Sequence, residues 1–325
     1  VSRASSARSV IGAYISSSLL FTLATSLIWA TNTIFMMQVG GLSIFQVMLV
    51  NSIYLVAQAI CEVPTGVVAD TLGRKTSYLI GIATILASTL LYVATPLLGW
   101  GFWGFCLASV LIGLGFTFQT GAVDAWLVDA LDAVGYDLPK ERVFAWGQMT
   151  FGAGMLAGSL LGGLLGQVDL ALPYVIRAAL LVAAFVLVAV LFRDLGFESR
   201  ALTAATFGAE TRKIFSAGVR FGWRDRVVRP LLFVSMVGGV FYMYAFYSWQ
   251  PYVLELLGSN AVWTLGLVQA GISLTGIAGN ALVKPIMGTE LCRRDPARVL
   301  AWASAAETLI IFAIAAVGLV CRQPG

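Results

Sequence analysis

The chain has 325 residues, 59% of them apolar and only 11% charged, with a mean hydropathy of +0.89. A water-soluble domain carries about 25% charged residues, so this composition leaves too few charges to cover a soluble surface and makes lipid the solvent over most of it. The net charge of +4 is too small to suggest a nucleic-acid partner, and the absence of histidine removes Ser-His-Asp and Cys-His catalysis, histidine-bound metals and histidine proton relays.

A helix needs about 20 apolar residues to cross a bilayer. Nine stretches meet that length, at roughly Ser9–Val39, Ser43–Val68, Lys75–Leu98, Phe102–Leu131, Val143–Gly166, Leu170–Phe192, Pro230–Leu257, Ala261–Met287 and Pro296–Val320. The first is too long for a signal-peptide core and is expected to be retained. The fourth and fifth are interrupted by glycines, not charges.

The segments that share a side with the N-terminus hold all of the 20 Lys and Arg residues except Arg177 and Arg322. That asymmetry predicts an inside N-terminus, in the cell (inner) membrane. Arg177 is expected near the outer end of span six, reaching the headgroups. The domain reading is a six-helix bundle over 1–193, an inner linker over 194–229 with an amphipathic helix on the membrane surface, and three further spans over 230–325. In that linker Phe207, Thr211, Ile214, Phe215, Gly218, Val219 and Gly222 recur at helical spacing. The turn after span one (37–43) weakly echoes the turn after span seven (254–260), as parallel halves of a transporter do.

Four cysteines, Cys61, Cys106, Cys292 and Cys321, lie far apart with no CxxC spacing, and read as packing residues rather than disulfides or a metal site. No phosphate-binding loop is present, so neither ATP nor another cofactor is implied. No nucleophile–base constellation is present, so the chain is not expected to be an enzyme.

Between spans two and three the sequence becomes specific. Gly66, Asp70, Gly73, Arg74 and Lys75 stand in the order Gly, three residues, Asp, two residues, Gly, Arg, Lys. Physically, Gly66 lets a neighbouring helix approach. Gly73 permits the chain reversal. Asp70 caps or pairs at the membrane boundary, and the cations hold the loop inside. The loop resembles the signature loop of the major facilitator superfamily, with Thr71 where a basic residue is usual. Asp124–Asp129 followed by Lys140–Phe144 and Gly147-Gln148 is similar to the span-four to span-five passage of bacterial exporters in that superfamily. Gly113 and Gly115 stand in the region of its usual span-four arginine. In span five Gly154, Gly158, Gly162 and Gly163 resemble the antiporter motif, with Ser159 in place of proline.

The resemblance implies an all-α polytopic fold, a six-helix N-terminal bundle plus three helices of a C-terminal bundle that is truncated after the ninth span. It implies secondary transport of small organic molecules by alternating access, as proton-coupled efflux. An importer or facilitator of the same fold is the alternative, as is a non-transporting half whose partner supplies the last three helices. In the family the Asp of the signature loop faces the eleventh span, a partner expected to be missing from a chain truncated after the ninth.

Carboxylates inside spans are costly and are functional candidates. Asp124, Glu62 and Asp129 are therefore candidates for proton coupling, although Glu62 and Asp129 have a structural alternative as partners of Arg74 or Arg142. Glu307 lies in the middle of span nine. Trp29, Asn32, Gln58, Gln119, Trp126, Tyr244, Tyr247 and Gln250, with Asn51 and Trp249, place aromatic and amide groups at helix-interior depth, which suits an apolar cavity for an amphipathic substrate. No cationic cluster accompanies them, so a phosphorylated substrate is disfavoured. Pro64 and Pro251 are expected to kink their helices.

Overall fold

The computed structural model describes residues 3–196, 216, 218–225, 228–257 and 261–287. The ninth expected span, Glu307, Cys292, Cys321 and most of the linker lie outside the described residues, as does the side chain of Tyr244. The chain divides into two compact units, Val1–Gly271 and Ile272–Gly325. Of the second, the described part is the helical stretch 272–287.

Every described regular element is helical. Among the described residues, six helical segments are long and apolar enough to cross a membrane: Ala7–Ser26, Ile44–Leu72, Arg74–Leu98, Gly101–Ala133, Glu141–Val168 and Leu172–Leu191. Two more long helices, Val228–Leu257 and Val262–Met287, stand where spans seven and eight were predicted. The outward faces of spans two, four and five carry large apolar side chains such as Phe45, Trp103, Met149 and Val168, each more than 70% exposed. Such a surface is stable against lipid rather than water. Helix continues through both Pro64 and Pro251.

Successive spans run in alternate directions, so the bundle has two ends. One carries the N-terminus, the Gly73 turn and the chain after span six. The other carries the turns near Gly40, Gly99 and Asp169. Span two begins at a full capping box: the Gln46 N–H donates to Ser43 Oγ (3.3 Å) and the Ser43 N–H to Gln46 Oε1 (2.9 Å). Such a cap is worth about 1 kcal/mol. Gly99 ends span three in the left-handed conformation (φ 66°), which a Cβ would oppose.

Span one packs against spans five and six, span two against four, and span three against four and six. Glycines set how closely. A Cβ on Gly113 would lie 2.8 Å from the Tyr54 carbonyl oxygen, and one on Gly115 would lie 3.0 Å from that of Gly81. Gly113 and Gly115 thus bring the span-four backbone directly against the backbones of spans two and three.

Two spans are broken. Span one is helical over Arg3–Ser26, turns through 27–31, and resumes as Asn32–Ile34 and a π-helical turn, Phe35–Val39. Span four runs Gly101–Gln119, breaks at Thr120 and Gly121 (φ 72°), and resumes as Ala122–Ala133. In hydrocarbon the freed backbone groups need partners. Ser77 Oγ donates to the Phe118 carbonyl (3.0 Å) at the break in span four. At the break in span one the partner is Gln250 of span seven. Its Nε2 donates to the Trp29 carbonyl (2.9 Å), and its Oε1 accepts from the Thr33 N–H (3.0 Å).

Candidate functional site

The two breaks border two cavities. The larger, about 340 Å³, lies toward the Gly40 end. Span one contributes Ile28, Trp29 and Asn32, span two Asn51, Tyr54, Leu55 and Gln58, span three Tyr92, span four Ile112 and Phe116, span six Arg177, and span seven Phe246, Tyr247 and Gln250. The smaller, about 210 Å³, lies toward the Gly73 end and includes Tyr14, Thr22, Thr25, Gln119, Asp124, Gln148 and Met155. Trp29 and Phe116 line both. The aromatics pack edge to face, Trp29 on Phe246 (6.0 Å) and Tyr54 on Phe116 (6.3 Å). This presents ring faces and edges to whatever lies between them.

Of the residues expected in a cavity, Trp29, Asn32, Gln58, Tyr247 and Gln250 line the larger one, and Gln119 lines the smaller. Asn51 also lines the larger, with its Nδ2 donating to the Val47 carbonyl (2.9 Å). Trp126 is a correction. It lines neither cavity, is 2% exposed, stacks on Phe192 (3.8 Å), and donates from Nε1 to the Arg193 carbonyl (2.8 Å). Trp249 packs instead beside the buried cluster of Ala30, Ile34 and Leu254.

The three carboxylates part company. Asp124 sits in the first turn after the Gly121 break, where the helix dipole favours a negative charge, and faces the smaller cavity with Tyr14 Oη 3.5 Å away. Glu62 is exposed on span two and accepts from Thr120 Oγ1 (3.1 Å). Asp129 lies 3.7 Å from Arg74 Nε.

Arg74 also meets Asp70 at 2.6 Å, so the signature loop holds a local Asp70–Arg74–Asp129 cluster. Gly73 has φ 101° and ψ 150°, a region open essentially to glycine alone. Lys75 ties the turn to span six: its N–H donates to Asp194 Oδ1 (2.9 Å) and its Nζ to the Ala189 carbonyl (2.7 Å). Gly66 departs from its expected role. A Cβ there would meet nothing within 4 Å, so among the described residues no helix closes on it.

The span-five glycines are close-packing positions. A Cβ on Gly154 would press on Thr22 at 3.1 Å, one on Gly158 would collide with Ser26 Oγ, and one on Gly162 with the Leu27 carbonyl. A Cβ on Gly163 would lie 2.6 Å from Gly266 Cα in span eight. Ser26 Oγ donates to the Gly154 carbonyl (3.1 Å), so span five holds span one just before its break.

Arg177 is the largest departure from the sequence reading. It is 1% exposed and lines the larger cavity instead of reaching the headgroups. Helical phase points it inward: Tyr174, one turn earlier, is fully buried and donates to Asn32 Oδ1 (2.7 Å). Tyr14, Tyr54, Tyr92 and Phe116 were missed as lining residues. Each lies in a near-continuous apolar run, where hydropathy does not separate a cavity face from a lipid face.

Comparison with known proteins agrees with this architecture. The profile of the Major Facilitator Superfamily matches residues 14–321. The class D tetracycline resistance protein of Salmonella ordonez is 29% identical over 248 residues, 75% of this chain and 56% of that protein. The class C protein of Escherichia coli is 34% identical over 133 residues, 40% of this chain and 30% of that protein. The class B protein of Escherichia coli is 29% identical over 164 residues, 50% of this chain and 38% of that protein. The chain thus spans about half the length, or less, of these relatives. Apolar helices, the signature loop and the profile agree that this multi-pass membrane protein belongs to the Major Facilitator Superfamily.

Proposed function

We propose that this chain carries small amphipathic organic molecules out across a cell membrane by alternating access, with protons moving the other way. The observation that best supports it is the pair of cavities, one toward each end of the bundle, with Trp29 and Phe116 as a common wall. A molecule held against such a wall can be exposed to one side in one state and to the other side in the next. The mainly apolar lining with a few amides suits an amphipathic body. Asp124 is the coupling carboxylate in this reading, because it faces the smaller cavity, while Asp129 is engaged by Arg74. The N-terminus and the Gly73 end face the cytoplasm, from the distribution of Lys and Arg. The bundle over 1–193, the linker over 194–229 and the spans over 230–325 are its working parts.

The similar proteins carry tetracycline resistance in their names, so tetracycline heads the panel of compounds to test. The experiment is flux in proteoliposomes under an imposed proton gradient, for this chain and for Asp124→Asn. Gradient-driven flux that falls at least ~100-fold in the variant is the expected result. Equal flux in both would remove Asp124 from coupling, and no flux with any compound would overturn the transport reading for the chain alone.

A further inference from the structure

Over Leu172–Leu191, span six carries one charged residue, Arg177. A guanidinium does not shed its proton in a protein, so it cannot escape burial by becoming neutral. It needs acceptors. Its Nε and Nη2 are buried with no hydrogen-bond partner among the described residues. The ion pairs among those residues are made by Arg74 and Lys140, at the other end of the bundle. Three tyrosines stand near it: the Tyr174 hydroxyl donates to Asn32, the Tyr92 hydroxyl pairs with Ser109 (2.9 Å), and Tyr54 lines the same cavity, but none of them accepts from Nε or Nη2. Yet the side chain forms part of the wall of the 340 Å³ cavity.

A buried, unpaired guanidinium on the wall of an aromatic cavity has the form of half a binding site. Its planar fork matches a carboxylate, which accepts two parallel N–H bonds. We propose that the larger cavity takes an amphipathic organic acid, its carboxylate on Arg177 and its ring body among Trp29, Tyr54, Phe116 and Phe246. One cation balances one negative charge. A phosphomonoester dianion would bring a second charge that no described lining residue neutralises. The larger cavity therefore selects for a monoanion. This rests on the reading of that cavity as the site of the transported molecule.

The test is calorimetric binding to the purified chain in detergent, with 2-naphthoate and the neutral, near-isosteric 2-naphthamide as probes. Naphthoate is expected to bind at least ~10-fold more tightly, the scale of a hydrogen bond to a charged group. The preference should vanish in Arg177→Gln and survive in part in Arg177→Lys, which keeps the charge and loses the fork. Thermal unfolding provides the structural control: removing an unpaired buried charge should leave the melting temperature unchanged or raised, whereas loss of a structural ion pair lowers it. Equal affinities, no saturable binding of either probe, or a preference that persists in Arg177→Gln would each overturn the inference. The arms are separable. Acid preference without flux counts against transport and leaves this site standing, and flux without acid preference does the reverse.

Discussion

Gly162 and Gly66 have the same chemistry and opposite surroundings. A Cβ at Gly162 would run into the Leu27 carbonyl, whereas at Gly66 it would enter open space. Gly162→Ala is therefore expected to cost about 1–3 kcal/mol through overpacking, even after the gain in helix propensity. Gly66→Ala should be neutral, or stabilising by up to about 1 kcal/mol. Thermal unfolding of the two variants in one detergent decides it, and equal effects would sink the packing account of span five. Trp126→Phe keeps a ring against Phe192 and loses the bond to the Arg193 carbonyl, at an expected cost of about 1 kcal/mol. The Asp70–Arg74 pair is partly exposed, so Arg74→Gln should cost no more than about 1 kcal/mol. A much larger loss in that variant would mean that Asp70, Arg74 and Asp129 hold the turn as a unit rather than as a surface pair.

At the scale of the element, the two broken spans are the informative ones. Span four breaks where Gly121 adopts a positive φ, and the break opens a new helix N-terminus three residues before Asp124. Span one has no glycine or proline between Leu27 and Thr31, so no local signal marks its break. What holds it open is remote: Gln250 of span seven supplies both a donor and an acceptor to the freed backbone. Gln250→Leu would leave the Trp29 carbonyl and the Thr33 N–H unpaired, at an expected cost of about 1–3 kcal/mol for each group. Gln250→Glu keeps only the acceptor and should recover part of that loss. If Gln250→Leu unfolds at the same temperature as the parent, the bridge is not what stabilises the break.

At the scale of the molecule, the uneven distribution of Lys and Arg makes a prediction about orientation. With the four native cysteines replaced, Ser43→Cys in the turn before span two is expected to react with an impermeant maleimide added outside intact cells. Asp137→Cys, in the turn between spans four and five, should react only after the cells are opened. The reverse pattern would invert the topology and exchange the sides on which the two cavities open.

Long apolar runs, their glycine interruptions and the loop from Gly66 to Lys75 are properties of contiguous sequence, so the all-helical membrane fold and its family were legible from residues alone. Asn32, Gln58, Tyr247 and Gln250 stood out as cavity candidates for the same reason, being polar or amphipathic groups within apolar helices. Arg177 shows the limit of that reasoning. A cation near the end of a span reads equally as one that snorkels to the headgroups and as one that turns inward, because the sequence gives depth but not which neighbour the helix face meets. That depends on how six helices rotate against one another, and here the rotation places Tyr174 and Arg177 toward the interior. The break in span one was hidden likewise, since its cause lies more than two hundred residues away in Gln250. The chain by itself determined solvent, helical fold class and family, because these follow from local composition and a contiguous motif. Which side chains face one another across a cavity was decided only by the packed bundle, because helix rotation is set by the sum of contacts between spans.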